Sequence, residues 1–192
     1  MYVQTEETPN PNTLKFLPGK TVSEVGSFEF TAKDQTENRL IKDILSMKEV
    51  NMVFLGPDFI TVKKTDQILW KEIKPKIISL INEYYLKDNV SILDKNYVKQ
   101  KSNDKEPTDE VVKKIISILN EKIRPAVARD GGDIKFKSFD NGLVTVELQG
   151  SCSGCPSSVM TLKQGVQNLL CHYVPEVKKV EAVQDNELID AR

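Results

Sequence analysis

Gly150-Ser151-Cys152-Ser153-Gly154-Cys155-Pro156-Ser157-Ser158 is the stretch that decides the reading of this chain. Before it, Leu143 to Leu148 places Val144, Val146 and Leu148 on one face, the period-two pattern of a half-buried strand. After it, Val159, Leu162, Val166, Leu169 and Tyr173 recur at helical spacing. The nine residues are therefore a strand-to-helix turn. Gly154 permits backbone conformations closed to other residues. Pro156 suits the first helical position, where its missing N–H is not needed. Cys155 then lies at a helix N-terminus, whose partial positive charge favours a thiolate, the form that binds metal.

Cys152 and Cys155, three apart across a tight turn, are the candidate metal and cofactor ligands. A tetrahedral thiolate site wants four ligands, and beyond this pair the chain offers only Cys171 and His172. Sixteen residues of predicted helix separate Cys155 from Cys171, roughly 24 Å at 1.5 Å per residue, so neither joins the same metal. Cys171 falls opposite the apolar stripe and reads as a bystander, and His172 as a helix-end residue. The simplest completion is a second copy of the chain, giving four thiolates across a two-fold axis. Such a set accepts a [4Fe–4S] cluster, a [2Fe–2S] cluster or zinc. A cluster on a loop between subunits is exposed and easily lost, which suits a carrier better than an electron-transfer centre. The same pair would also serve a thiol–disulfide oxidoreductase, and that alternative stays open on the residues alone.

Upstream of the turn, Asp140-Asn141-Gly142 is a hairpin signal, with Ile134, Phe136 and Ser138 alternating in the first strand. Asp130-Gly131-Gly132-Asp133 ends a helix that Pro125 bends or restarts; its buried stripe is Val112, Ile115, Leu119 and Ile123, and Thr108 is its expected N-cap. Downstream, Pro175 ends the last helix and Val177 to Val183 is a final strand. The order is α-β-β-α-β over residues 109–192.

Residues 94–108 lose apolar content and mix charges of both signs, as a solvated linker does. Residues 1–93 read as a small α/β unit. Thr8-Pro9-Asn10-Pro11-Asn12 is a turn, Leu14 to Leu17 a strand, and Val50 to Leu55 and Phe59 to Val62 two strands around Gly56-Pro57-Asp58. Leu40, Ile41, Ile44 and Leu45 mark one helix. Leu69, Ile73, Ile77, Leu80 and Tyr84 mark another, with a kink or restart expected at Pro75. Trp70 and Tyr84-Tyr85 read as packing residues rather than a partner surface, and Lys63-Lys64 as a solvated strand end. The fold class is α+β: two small domains, 1–93 and 109–192, joined by a charged linker.

Charge is balanced throughout, with 12 Lys/Arg against 13 Asp/Glu in residues 1–93, 4 against 3 in 94–108 and 11 against 12 in 109–192. No basic block speaks for nucleic acid, and no apolar run reaches the roughly 20 residues of a membrane span. Three cysteines do not make a disulfide framework. Met1 to Asn12, with Glu6 and Glu7 and no Lys or Arg, reads as neither a secretory signal nor a transit peptide. The N-terminal part holds no catalytic set, so no enzyme activity is expected.

Together, Asp130-Gly-Gly-Asp133, the cysteine turn, Thr161-Leu-Lys163 and Pro175-Glu-Val177 resemble the NifU C-terminal domain, and residues 4–19 resemble the N-terminal domain of Nfu-type proteins. The resemblance implies a scaffold or carrier binding a [4Fe–4S] cluster between two chains, with Cys152 and Cys155 as ligands. It also implies upstream assembly proteins, delivery to apo iron–sulfur proteins of the aconitase or lipoyl synthase type, and an N-terminal domain that assists partner or target contact. The implied location is a bacterial cytoplasm, or the mitochondrial matrix for a processed form.

Overall fold

A computed structural model describes residues 2–34, 36–88, 90–95, 109–153 and 156–183, with the backbone alone for 156–158. The chain divides into two compact units, Met1–Ser102 and Asn103–Arg192. Of the expected linker, residues 96–108 lie outside the described residues.

The first unit is a five-stranded antiparallel sheet with two helices on one face. Its strands are β1 (Gln4–Glu7), β2 (Thr13–Leu17), β3 (Phe28–Thr31), β4 (Val50–Leu55) and β5 (Ile60–Lys64), in the order β1-β2-β5-β4-β3. Helices α1 (Arg39–Leu45) and α2 (Trp70–Lys87) cover one face. The period-two pattern works as expected: Leu14 and Phe16 of β2 and Val53 and Leu55 of β4 enter the helix-side core with Ile41, Ile44, Ile73, Ile77 and Ile81. Each such side chain contributes about 1.5–3 kcal/mol on burial. Asn38 caps α1, its side-chain oxygen accepting from Ile41 N.

Three details depart from expectation here. α2 runs through Pro75 without a restart. Pro75 and Lys71 are both exposed, so the carbonyl that the missing N–H would have bonded lies on the solvent side of the helix. β1 and β3 are additional strands; Phe28 and Phe30, alternating with Glu29 and Thr31, carried the signal for β3. Lys64 is not a solvated end. It is buried, donating from Nζ to Asn12 Oδ1 (3.0 Å) and Thr65 O (3.3 Å) and lying over the Trp70 ring. Trp70 packs edge-on to Phe16 and donates from Nε1 to Pro11 O (3.0 Å). The Thr8–Asn12 turn is thereby tied to α2 and β5.

The second unit has the predicted order. Helix α3 (Glu110–Ile118) passes through a π-helical turn (Leu119–Ile123) into α4 (Arg124–Arg129), followed by the hairpin β6 (Gly132–Asp140) and β7 (Leu143–Gly150), helix α5 (Pro156–Tyr173) and β8 (Lys179–Val183). Pro125 explains the π turn: it has no N–H for Glu121 O and its ring crowds that turn. Asp109 caps α3 by accepting from Val111 N (2.8 Å), while Thr108 lies outside the described residues. The hairpin turns at Asn141 (φ 49°) and Gly142 (φ 87°), the left-handed pair that a two-residue turn needs. A register shift between Phe136 and Ser138 turns Phe139, rather than Ser138, to the core. β8 pairs with β7 in parallel, so β7–α5–β8 is a crossover unit.

In α5 the fully buried residues are Val166 and Leu170, with Val174 just beyond, while Val159, Leu162 and Leu169 flank the core. The stripe drifts because 3.6 residues per turn does not divide the heptad. Two expectations change with it. Tyr173 is 40% exposed, under the Lys122 ammonium (5.1 Å). Cys171 is half-buried and packs against the core instead of facing away.

Candidate functional site

β7 delivers the cysteine turn. Gly150 closes the strand with φ 70°, a value glycine adopts without strain. Ser153 donates to Gly150 O through both its backbone N–H (3.1 Å) and its hydroxyl (2.8 Å), which tightens the turn. Ser151 N–H donates to Gly131 O (3.1 Å), anchoring the turn to the start of β6. Ser151 and Cys152 are both buried, and Cys152 is only 6% exposed within the apolar core of the unit.

The Asp130–Asp133 motif forms the floor beneath that sulfur. Gly131 takes φ 80° and turns the chain from α4 into β6. At Gly132 a Cβ would lie 2.5 Å from Gln149 O, 3.0 Å from Cys152 Sγ and 3.3 Å from Cys152 N. No side chain fits, so the sulfur rests directly on bare backbone. Asp133, 3% exposed, receives Arg124 as a fork, Nε to Oδ1 (2.8 Å) and Nη2 to Oδ2 (2.6 Å), and Oδ1 also accepts from Ile134 N (2.8 Å). That carboxylate pushes the Arg124 pKa further up from its ordinary value, against burial, which lowers it. The fork ties the start of α4 to the first residues of β6.

A second polar group lies along the same two strands. Glu147, 2% exposed, pairs with Lys137 and accepts from Gln149 Nε2. Burial pushes the neighbouring Lys135 below the ordinary lysine pKa, against the pull of Asp133 and Glu147. Sequence reasoning missed Arg124, Glu147 and Gln149; the Arg124–Asp133 spacing across a turn was the available signal.

Of the two expected ligands, Cys152 is placed and Cys155 lies outside the described residues. The described residues contain no group of three or more His, Cys, Asp or Glu side chains that could hold a metal. Cys171 sits near the far end of α5, about 22 Å along the helix from Pro156 at 1.5 Å per residue. Cys152 therefore gains no described ligand from its own chain. His172 stacks edge-on to Tyr173 (4.9 Å) at the same far end.

The arrangement defines a two-unit α+β protein with a cysteine at the corner between a strand and a crossover helix. Family comparisons give that class a more particular identity. The model of the scaffold protein Nfu/NifU N-terminal domain matches residues 3–88, and that of the NifU-like domain matches residues 115–181. The chain is 44% identical over 191 residues to NifU-like protein 4, mitochondrial, of Arabidopsis thaliana, covering 97% of this chain and 68% of that one. It is 41% identical over 189 residues to the human NFU1 iron-sulfur cluster scaffold homolog, mitochondrial, covering 97% and 74%. A NifU-like protein of Saccharomyces cerevisiae, solved by NMR, overlaps 50% of this chain and 86% of its own at 27% identity and a TM-score of 0.46. A Staphylococcus aureus protein solved by X-ray crystallography overlaps 42% and 98%, at 31% and 0.38. The chain belongs to the Nfu family of NifU-like scaffold proteins.

Proposed function

We propose that this protein is an iron–sulfur cluster carrier that receives a [4Fe–4S] cluster from upstream assembly proteins, holds it between two chains on Cys152 and Cys155 of each, and passes it to apo-proteins. The observation that carries the reading is Cys152 at the β7–α5 corner, in a turn held by backbone hydrogen bonds, within the stretch that the NifU-like domain model matches. Two cysteines per chain leave a four-thiolate cluster two ligands short, and a second chain supplies them. The cluster is cargo. Each iron–thiolate bond to the carrier is exchanged for a bond from that iron to a ligand in the recipient site, thiolate or oxygen, with no net oxidation or reduction. Residues 1–93 serve partner or target contact, residues 94–108 act as linker and residues 109–192 hold the cluster. Recipients are apo iron–sulfur proteins of the aconitase or lipoyl synthase type. The mitochondrial names of the relatives support the matrix as location over a bacterial cytoplasm.

The burial of Cys152 adds a condition. Its sulfur rests against Gly132 in the apolar core, so ligation calls for Cys152 Sγ to become exposed.

Anaerobic reconstitution with iron and sulfide, read as iron per chain and mass in solution together, tests the reading. About two irons per chain on a dimer is expected for one shared [4Fe–4S] cluster, and Cys152→Ser is expected to abolish it. Unchanged cluster content in Cys152→Ser, or a stable monomer that takes up no iron, would overturn it.

A further inference from the structure

α5 leaves the cysteine turn at Pro156 and holds one side outward along its length. From Val159 to Leu169 its exposed residues are Met160, Thr161, Gln164, Gly165 and Asn168, and none carries a charge. Helix α2 has the same length, yet Lys71, Glu72, Lys76, Glu83 and Lys87 stand on its exposed side, as on an ordinary solvent-facing helix. Met160 is 74% exposed, and lies about 6 Å along the helix from Pro156 at 1.5 Å per residue. Absence of charge together with an exposed methionine is the composition of a surface that another protein covers. Gln164 Nε2 donates to Asn168 Oδ1 (3.3 Å), so covering the pair leaves fewer polar groups unpaired.

Gly165 has no explanation inside its own chain. A glycine within a helix costs about 0.5–1 kcal/mol relative to alanine. Its backbone is not left-handed, and a Cβ there would meet nothing within 4 Å. At Gly132 the chain's own backbone excludes a side chain; at Gly165 there is open space. A bare helix position facing outward fits the close approach of a second helix.

We propose that the outer face of α5, from Met160 to Asn168, is where a second copy of this chain packs when the cluster is bound, helix against helix about the two-fold axis. The inference rests on the shared-cluster reading above and names the contact between the chains. The second copy is the occupant because four thiolates from two chains bring both α5 N-termini to one cluster, and this face begins one turn away. Two-fold symmetry sets the face against itself, and an uncharged face meets no like charge. The bare Gly165 lets the helix axes approach to the short end of the usual range of about 8–10 Å. The face is about 12 Å long and about 10 Å wide, far less than the roughly 800 Å² per partner that a stable interface buries. It therefore supports a dimer that the cluster holds together, and lets the chains part once the cluster leaves.

The test uses the full chain, reconstituted anaerobically with iron and sulfide, and Gly165→Tyr, which adds bulk without charge. Without metal, the variant's Tm is expected to equal or exceed the parent's, because tyrosine is the better helix former and meets nothing there. Loaded, it is expected to lose its cluster to EDTA at least fivefold faster than the parent, since interface changes act mainly on dissociation. Ser79→Tyr, on the exposed side of α2, should lose it at the parent's rate. A photoreactive benzoylphenylalanine in place of Met160, in a mixture of light and heavy isotope-labelled chains, should crosslink α5 of one chain to α5 of the other in the loaded protein only. Suppose the parent loads about two irons per chain as a dimer. Equal cluster lifetimes in parent and Gly165→Tyr, or crosslinks that reach no second α5, would then overturn the proposal and leave the shared-cluster reading standing. Slower transfer to an apo-protein of the aconitase type, with an unchanged lifetime, would assign the face to the recipient instead. A parent that takes up no iron would overturn both.

Discussion

Gly132 lies directly beneath Cys152: a Cβ on residue 132 would stand 3.0 Å from the thiol sulfur and 2.5 Å from Gln149 O. The sulfur can yield by rotating, but the carbonyl belongs to the β6–β7 ladder and cannot. Gly132→Ala is therefore expected to destabilise the second unit by about 1–3 kcal/mol, as overpacking does, and to speed alkylation of Cys152. Thermal unfolding and peptide-mapped iodoacetamide labelling of the metal-free protein measure the two effects. An alanine variant with native stability and native labelling would show that the backbone there is free to move.

Burial also orders the thiols. Cys152 is buried in the core and Cys171 is half-buried at its margin. In the native, metal-free protein Cys171 is expected to react with iodoacetamide faster than Cys152, and in guanidinium the two should react alike. Faster native labelling of Cys152 would mean that its turn already opens in the resting protein.

The fork between Arg124 and Asp133 joins the start of α4 to the strand under the sulfur. Asp133 is 5% exposed at its side chain and Arg124 37%, so the pair is partly screened, and removing the cation should cost about 1–3 kcal/mol. Arg124→Met is expected to lose that much protection of the β6 amides against hydrogen exchange, which reports on this unit by itself. Arg124→Lys should recover less than half, because one ammonium cannot make two parallel bonds. Full recovery by lysine would reduce the pair to a simple charge contact.

Lys135 gives a pH signature. Burial holds its folded pKa below the ordinary 10.5, so the folded state resists the protonated form. The resulting penalty is fully present below the folded pKa and fades as pH rises from there towards 10.5. Lys135→Met removes the penalty, so its stability advantage over the parent should be largest near neutral pH and shrink towards pH 10. Parallel unfolding curves of the two proteins from pH 7 to 10 check the sign; a constant difference would mean that Lys135 does not titrate differently on folding.

Much of the second unit was legible because its signals are local. Asp140-Asn141-Gly142 demands two left-handed residues, and Asn141 and Gly142 have them. Pro125 perturbs its helix and Pro156 opens one, as a ring without an N–H must. The strand before Cys152 and the helix after Pro156 follow from their apolar periods. In the first unit, β2, β4, β5 and both helices were readable for the same reason. β1 was not, since Gln4 to Glu7 is polar and becomes a strand only because β2 offers an edge to pair with.

The sequence by itself determined the order of elements in the second unit, the two-unit α+β class and the position of Cys152 between a strand and a helix, because each depends on residues close together in the chain. Tertiary structure alone decided what lies far apart in sequence. It set β8 parallel to β7, drew Lys64 into a site made by Asn12 and Trp70, turned Cys171 to the edge of the core, and seated the Cys152 sulfur on the backbone of Gly132. Periodicity says which face of an element is apolar; it does not say which distant residue will meet that face. Those meetings are fixed by packing and by the pairing of buried polar groups.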